Sequence, residues 1–263
     1  MNRLYFLFLL AAGLLVLMAG HAAVPAPAPG KAHVWVFMMA GQSNMAGRGA
    51  VEACDTVINR RILTIDADGK LIYAQEPLHF YEPRMQGLDC GKAFAEALLP
   101  HVPRHVSILL IPTAVGGCPI RKWLNDEMHR EVRMLTNFKE KAALGRQYGT
   151  IKGVLWHQGE SDATENGIPQ YREQLVRLLH VLRAATGDPS LPVLMGEIGA
   201  FSTTPDLFAR INGIIHDVAA EDRRTAVAGT ADLLDRGDHL HFNSEGQRTL
   251  GARYAEAFRK FMK

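Results

Sequence analysis

Short runs of apolar residues alternate along the chain with stretches in which apolar residues recur every three or four positions. The runs are too short for helices and are bounded by polar residues and Gly or Pro, so they predict buried strands. The five predicted strands are Val34–Met39, Val106–Ile111, Gly153–Trp156, Val193–Glu197 and Thr225–Ala228. Such alternation is typical of an α/β fold, in which helices cover both faces of a mainly parallel sheet.

Helical periodicity accounts for most of the sequence between these strands. Residues spaced by three and four give each predicted helix one apolar face that would pack on the sheet. The predicted helices cover Lys92–Leu99, Met128–Ala142, Tyr171–Ala185, Leu207–Val218 and Leu250–Phe261. We therefore assign these apolar stripes to the core and not to cofactor contacts.

Local signals add two helix starts and one hairpin. Thr204 followed by Pro205 is typical of an N-cap and a first helical residue, and Ser244 with Gln247 fits a capping box. Residues 61–75 alternate around an Asp-Ala-Asp-Gly turn, which predicts a β-hairpin inserted after the first strand. The expected fold is a three-layer α/β/α sandwich.

The N-terminus has the pattern of a secretory signal peptide. Arg3 precedes an apolar stretch from Leu4 to Met18, and small residues follow at the expected cleavage site, so we assign 1–22 to the signal and 23–32 to a Pro/Ala linker. The alternative is an uncleaved membrane anchor, but the stretch is shorter than the ~20 apolar residues that span a bilayer. We expect a secreted or periplasmic protein with no stable membrane anchor after cleavage, folded over 33–263.

Composition and charge narrow the class of protein. The 263 residues are 48% hydrophobic and 21% charged, with a formal net charge of +2, as in a globular domain. No basic face stands out, so nucleic acid is not an expected partner.

The chain has three cysteines, Cys54, Cys90 and Cys118. Export would permit a disulfide, and an odd number leaves at least one thiol unpaired within the chain. Cys54 and Cys90 lie in predicted loops on the same side of the sheet, so we favour that pair and expect Cys118 to be buried.

Four polar segments carry the candidate chemistry, and each follows a predicted strand or precedes a helix. They are Gly41-Gln42-Ser43-Asn44-Met45, Val115-Gly116-Gly117-Cys118-Pro119-Ile120, Trp156-His157-Gln158-Gly159-Glu160-Ser161-Asp162 and Asp238-His239-Leu240-His241-Phe242-Asn243. Reactive groups of open α/β sheets collect beyond the carboxyl ends of the strands. Together the segments supply a hydroxyl, an imidazole, carboxylates, an amide and glycine N–H groups, which acyl transfer from an ester requires.

Ser43, on a strand-to-helix turn, is the candidate nucleophile, and His241 is the candidate base. On residue type alone, His239 is also a candidate for the base. Asp238 and Glu160 are two candidates for the acid that orients the histidine, and the sequence leaves this choice open. A zinc site formed by Asp238, His239 and His241 is disfavoured, because the ligands would be crowded and no other cluster has metal spacing.

The transition state of ester hydrolysis also needs donors for its oxyanion. The candidates are the N–H groups of Ser43 and Gly117 and the side-chain amide of Gln158. Three further residues are candidates for holding a sugar, because arginine offers forked donors and tryptophan a flat apolar face. They are Arg48, Arg121 and Trp123.

With these blocks in this order, the chain resembles the SGNH-type carbohydrate esterases, specifically the sialate O-acetylesterase-like domain that includes the family 6 acetylxylan esterases. The resemblance implies a five-stranded flavodoxin-like sheet, favours His241 over His239, and places Glu160 in the catalytic set. It implies a serine esterase that removes O-acetyl groups from acetylxylan or acetylated sialic acid without a cofactor. Cys118 departs from the small hydroxyl residue expected after the double glycine.

Two other functions stay open on the sequence. One is a non-catalytic carbohydrate-binding protein on the same fold, and the other is an SGNH esterase that acts on lipids. The oligomeric state is also open. Retention of every reacting residue type favours an enzyme.

Overall fold

The computed structural model describes residues 23–262, so the predicted signal peptide, 1–22, lies outside the described residues. Nine strands are present in this part of the chain: β1 Val34–Gly41, β2 Ile62–Ile65, β3 Leu71–Tyr73, β4 Ser107–Pro112, β5 Met128–His129, β6 Val132–Arg133, β7 Thr150–His157, β8 Val193–Gly196 and β9 Thr225–Ala228. The seven helices are α1 Ser43–Ala46, α2 Gly91–Leu98, α3 Ile120–Leu124, α4 Met134–Tyr148, α5 Ile168–Thr186, α6 Pro205–Glu221 and α7 Ser244–Arg259.

Seven of the strands form one sheet in the order β3-β2-β4-β1-β7-β8-β9. All five predicted strands are present, and their order, β4-β1-β7-β8-β9, is the flavodoxin-like order that the resemblance implied. The sheet is wider than the five strands expected. The predicted hairpin exists as β2 and β3, but it is not a separate insertion, because β2 pairs in parallel with β4 and so extends the sheet by two strands.

The two faces of the sheet are covered by different helices, which confirms the three layers. Along β1, Val36 and Met38 point into a core shared with α3, α4, α5 and α6. Phe37 and Met39 point to the opposite face and pack with α1, α2 and α7. Alternate residues of a strand face opposite sides, so a strand buried on both faces must be apolar throughout. Burial on both faces of the sheet therefore explains why β1 is an unbroken apolar run.

One predicted helix starts too early. Met128 and Val132 share the three-and-four spacing of the next helix, but they belong to the two-stranded hairpin β5–β6, and α4 begins at Met134. The hairpin turn places Arg130 and Glu131 at positive φ, 45° and 68°, which no α-helix allows. Only the later part of the predicted stripe, from Leu135 onwards, lies on a helix.

The start of α7 is capped differently from the prediction. Asn243 is the N-cap, and its side chain accepts a hydrogen bond from Gly246 N at 2.7 Å. Ser244 instead donates to Ala50 O, and Gln247 donates to Asn44 O at 3.0 Å, so neither forms the expected capping box. The other predicted start is confirmed, because Thr204 is the N-cap position before Pro205 in α6.

The segment predicted as a linker is partly paired with the sheet. Val24 O accepts a hydrogen bond from Tyr73 N at 3.0 Å, and Ala26 N donates to Leu71 O at 3.2 Å. The Pro/Ala segment thus lies along β3, the edge strand, and covers backbone groups that would otherwise be open to another chain. Within residues 23–262, no helix is both long and apolar enough to cross a membrane.

The cysteines are not paired as predicted, because all three thiols are free. Cys54 is exposed, whereas Cys90 is fully buried with its sulfur 3.9 Å from that of Met45. Cys118 is buried as expected. Burial raises the pKa of Cys90 well above its usual value and raises the pKa of Cys118 to about 12, so both stay protonated and unreactive at neutral pH.

This difference in burial predicts the thiol chemistry of the native protein. Ellman's reagent should titrate only Cys54 in the folded state and all three thiols after unfolding in guanidinium without reductant. Cys54→Ser should abolish the native reaction and leave two thiols in the unfolded protein. A single thiol after unfolding would show a disulfide and contradict the free state of the three cysteines.

Candidate active site

The four polar segments meet at one edge of the sheet, beyond the carboxyl ends of three adjacent strands. Ser43 lies two residues after β1, Gly117 follows β4, and Glu160 follows β7. His241 comes from the loop that precedes α7. Because β4, β1 and β7 are neighbours in the sheet, the segments converge at the position where open α/β sheets bind their ligands.

A continuous chain of hydrogen bonds joins Ser43, His241 and Asp238. Ser43 Oγ lies 3.0 Å from His241 Nε2, and His241 Nδ1 lies 2.8 Å from Asp238 Oδ2. The second carboxylate oxygen, Oδ1, accepts from the backbone N–H of His241 at 2.8 Å and of Leu240 at 3.0 Å. The carboxylate therefore fixes both the loop and the imidazole ring that the loop carries.

The charge of Asp238 is favoured by these contacts. Partial burial raises the pKa of this carboxyl, but the backbone N–H and ring of His241 and the N–H of Leu240 outweigh that effect and lower it. An ionised Asp238 accepts a hydrogen bond from Nδ1–H of His241, which keeps the ring proton on Nδ1 and leaves Nε2 as the acceptor that faces the Ser43 hydroxyl. The contribution of Asp238 to holding the His241 ring is fully present above the usual pKa of an aspartate. It is lost as the pH falls through the lowered pKa of Asp238, where the carboxylate becomes protonated.

His239 does not share this position. Its side chain is exposed, its backbone has a φ of 57°, and its N–H donates to Asp235 Oδ2 at 2.6 Å. The left-handed conformation turns the chain between Asp238 and His241, so that the aspartate can reach back to the ring three residues later. His239 thus forms part of the turn, and His241 is the histidine that lies within hydrogen-bond distance of Ser43.

Glu160 contacts Asn44 and not His241. Its Oε1 accepts a hydrogen bond from Asn44 Nδ2 at 2.6 Å. The same Nδ2 donates to Leu240 O at 3.1 Å, and Asn44 Oδ1 accepts from Phe242 N at 3.1 Å. Asn44 therefore holds the backbone on both sides of His241. The sequence drew attention to Glu160 but gave no sign that Asn44, next to Ser43, connects it to the histidine loop.

Glu160 is a buried anion. Burial raises its pKa, but the ring of His157, whose Nε2 lies 3.6 Å from Oε1, and the amide of Asn44 lower it by a larger amount. The ionised carboxylate is a stronger acceptor for Asn44 Nδ2 than a neutral carboxyl would be. Glu160 therefore fixes which way the Asn44 amide points.

Two of the three expected oxyanion donors are free to act. Ser43 is the first residue of α1, so its N–H has no acceptor within the helix. Gly117 is exposed, with a φ of 69° that favours glycine, and its N–H makes no hydrogen bond to any group in residues 23–262. Both N–H groups belong to segments that end at the same edge of the sheet.

Gln158, the third expected donor, offers no free N–H. Its side chain is fully buried, and Nε2 donates to Asp162 Oδ2 while lying 3.2 Å from Gln42 Oε1 and 3.4 Å from Cys118 O. The prediction was wrong because the direction of a side chain after a strand depends on packing, which the sequence pattern does not report.

The contact from Gln158 orients another amide. Gln42 Oε1 accepts from Gln158 Nε2 and from Ser161 N, the latter at 3.3 Å, so Nε2 of Gln42 must lie on the opposite side of the amide. The described residues provide no acceptor for this Nε2, which is not among the fully buried polar atoms. Gln42, directly before Ser43, thus carries the available side-chain donor.

The three residues expected to hold a sugar lie in different environments. Trp123 is fully buried and packs edge to face on Trp156 with ring centroids 5.3 Å apart, so it is a core residue and the prediction for it was wrong. Arg48 is 5% exposed and pairs with Glu82 at 2.7 Å, which also makes it structural. Arg121 is exposed and paired with Glu127.

Comparison with known proteins places the chain in a family. A sequence profile of the family described as "Carbohydrate esterase, sialic acid-specific acetylesterase" matches residues 33–260. The chain belongs to this family. The protein is therefore a carboxylic ester hydrolase of the carbohydrate esterase class, and the resemblance identified from the four segments is confirmed.

Relatives of known structure support the same assignment. An Arabidopsis thaliana protein named "Probable carbohydrate esterase" is 31% identical over 243 residues, which cover 85% of this chain and 89% of the relative. The X-ray structure of the Arabidopsis protein aligns with a TM-score of 0.74 and 29% identity, covering 86% of this chain and 98% of that one.

Two more distant structures share the fold. NanS has a TM-score of 0.69 at 14% identity and covers 91% of this chain and 99% of its own. A carbohydrate acetylesterase from Xanthomonas citri has a TM-score of 0.64 at 21% identity, covering 86% of this chain and 56% of that one.

Replacement of Asp238 in this esterase should cost far more activity than replacement of Glu160. Asp238→Asn removes the carboxylate that holds His241 Nδ1–H, so kcat should fall roughly 1,000- to 10,000-fold with little change in KM. Glu160→Gln keeps an oxygen for Asn44 Nδ2 and loses only the charge, so we expect a fall of about 10-fold. Steady-state kinetics with p-nitrophenyl acetate measure both.

The contact between Glu160 and Asn44 allows a sharper comparison. Asn44→Ala should lower kcat by about 100-fold, because both bonds to the His241 loop are lost. Combined with Glu160→Gln, the loss should be no larger than in Asn44→Ala alone, since Glu160 acts through Asn44. If the fall in kcat of the double variant equals the product of the two single falls, Glu160 does not act through Asn44. A fall in kcat for Glu160→Gln as large as that for Asp238→Asn would also contradict this interpretation.

Proposed function

We propose that this protein is a serine esterase that removes O-acetyl groups from a carbohydrate through an acetyl-enzyme on Ser43. The observation that carries the proposal is the unbroken hydrogen-bond chain from Ser43 through His241 to Asp238. The family supplies the carbohydrate ester as the class of substrate. The geometry supports Ser43 as the nucleophile, His241 as the base and Asp238 as the acid that orients the base.

In the first half of the reaction, the Ser43 hydroxyl gives its proton to His241 Nε2 while Oγ attacks the acetyl carbonyl carbon. The carbonyl oxygen becomes an oxyanion, for which the N–H groups of Ser43 and Gly117 and Nε2 of Gln42 are the proposed donors. When the intermediate collapses, the bond between the carbonyl carbon and the sugar oxygen breaks. His241 returns the proton to that oxygen, and the deacetylated sugar leaves.

In the second half, water takes the place of the sugar. His241 removes a proton from the water, whose oxygen attacks the acetyl carbon, and the same donors hold the second oxyanion. Collapse breaks the bond to Ser43 Oγ, which regains its proton from His241, and acetate is released. Asp238 stays ionised throughout and stabilises the imidazolium in both halves, as its lowered pKa favours.

We further propose that the mature protein is exported and has no stable membrane anchor. The support is the sequence of residues 1–22, with its basic start, apolar stretch and small residues before Ala23. The acetylated substrate would then be a glycan outside the cytoplasm, of the acetylxylan or acetylated sialic acid class.

The nucleophile assignment gives the most direct test. Ser43→Ala should fold with an unchanged melting temperature and lose nearly all hydrolysis of p-nitrophenyl acetate, acetylated xylan and acetylated sialic acid. The matched control is Ser190→Ala, in the exposed loop before β8 at the opposite end of the sheet, which should keep full activity. A fluorophosphonate should label wild type and Ser190→Ala but not Ser43→Ala.

The same assay separates the competing functions. Wild-type turnover by Ser43→Ala would overturn the mechanism. No turnover of any acetyl ester by wild type would favour a non-catalytic carbohydrate-binding protein. A preference for long acyl chains over acetyl would instead identify a lipid-directed esterase.

A further inference from the structure

The β5–β6 hairpin lies outside the main sheet and contributes nothing to the triad, but it contacts the backbone of the double glycine. His129 Nε2 of β5 lies 2.8 Å from Gly116 O. Gly116 is buried, whereas Gly117, which follows it, is exposed. The hairpin therefore contacts the loop that carries a proposed oxyanion donor.

The ring of His129 has one available tautomer. Lys122 Nζ lies 3.2 Å from Nδ1, and an ammonium group can only donate, so Nδ1 must accept. The ring proton is then on Nε2 and is donated to the carbonyl oxygen of Gly116. Lys122 also donates to Met128 O at 3.2 Å, which ties α3 to the hairpin and keeps the ammonium in place.

The other polar group of Gly116 is held as well. Its N–H donates to Glu82 Oε2 at 2.7 Å. Glu82 is itself fixed by two arginines, Arg48 at 2.7 Å and Arg130 of the hairpin turn. Burial raises the pKa of Glu82, but Gly116 N–H and the two guanidinium groups together lower it, so the carboxylate is ionised.

A side chain at position 116 would displace the Arg48–Glu82 ion pair. A Cβ built there would lie 2.3 Å from Arg48 Nη2 and 2.8 Å from both carboxylate oxygens of Glu82. The ion pair thus lies directly against the backbone of the loop. Any displacement of the Arg48–Glu82 pair would be transmitted to the peptide that follows Gly116.

The geometry of the peptide bond connects these contacts to the reaction. In a trans peptide, the C=O of Gly116 and the N–H of Gly117 lie in one plane and point in opposite directions. A donor that fixes the carbonyl of Gly116 therefore fixes the direction of the Gly117 N–H, which has no acceptor within residues 23–262.

We propose that the β5–β6 hairpin orients the oxyanion donor of this esterase, with His129 and Glu82 as positioning residues that hold the peptide between Gly116 and Gly117. The inference rests on the proposed serine esterase function, for which the Gly117 N–H is a donor. Neither residue touches the substrate. Their effect is to keep one N–H aimed at the place where negative charge develops, which matters because a preorganised donor costs no reorganisation during the reaction.

The test uses two replacements of His129 that differ in one property. His129→Phe keeps a flat ring but removes the donor, and we expect kcat for p-nitrophenyl acetate to fall about 10- to 100-fold, with KM within about twofold. His129→Gln carries an amide N–H at a similar reach and should recover most of the lost kcat. The control is His180→Phe, on the exposed face of α5, which should match wild type.

Two further readouts exclude a general structural effect. The rate at which a fluorophosphonate labels Ser43 should fall by the same factor in His129→Phe, because the tetrahedral adduct uses the same donors. The pH dependence of kcat/KM should keep its wild-type midpoint, because the contacts of His241 are unchanged. Wild-type kcat in His129→Phe would overturn the proposal, and so would a His129→Gln variant as impaired as His129→Phe.

A measurement independent of activity separates this proposal from the proposed function. Nitrogen NMR of the histidine rings should show the Nε2–H tautomer for His129 in wild type and loss of that preference in Lys122→Met. An Nδ1–H tautomer in wild type would overturn the positioning role even in an active enzyme. If wild type fails to hydrolyse acetyl esters, the proposed function fails, and the positioning of Gly117 as an oxyanion donor fails with it.

Discussion

Three distant parts of the chain meet at Asn44, and the geometry of the site depends on its hydrogen bonds. Its side chain binds Glu160 after β7 and the backbone on both sides of His241, and its carbonyl accepts from Gln247 of α7. Asn44 itself is in α1, next to Ser43. The Asn44 amide thus holds the histidine loop beside Ser43, and an antiparallel bridge between Asp235 and Phe242 gives the loop its internal shape.

Two ionised carboxylates with little exposure to solvent support the site. Glu160 holds the amide of Asn44, and Glu82 holds the N–H of Gly116. Removing a carboxylate from water is costly unless donors compensate, and such groups are weak sources of stability. Their value here is directional, because an ionised carboxylate can only accept hydrogen bonds and so fixes which atom of each bound group faces it. We infer that these acids contribute to the order of the site more than to the free energy of unfolding.

The sequence predicted the features that follow from local pattern. The five central strands, the helices α5 and α6, and the placement of Ser43 and His241 all depend on periodicity and on motif order, and the structure contains them. It failed where a side chain could point in either of two directions. Gln158 and Trp123 have suitable chemistry for the site but turn into the core. The sequence likewise could not show that Asp238, and not Glu160, contacts His241, because this contact depends on the left-handed backbone of His239, which the residue type does not predict.

The role of the β5–β6 hairpin could not be predicted from the sequence. Its residues continue the apolar spacing of α4, and a helix would be the default prediction, yet Arg130 and Glu131 both adopt positive φ. This left-handed conformation costs of order 1–3 kcal/mol for each residue that is not glycine, and it is kept only when the surrounding contacts hold the residue in place. Those contacts are the bond from Arg130 to Glu82 and the bond from His129 to Gly116. The strained turn and the orientation of the glycine loop are therefore consequences of the same interactions, so that relaxing the hairpin into a helix would release the oxyanion side of the site.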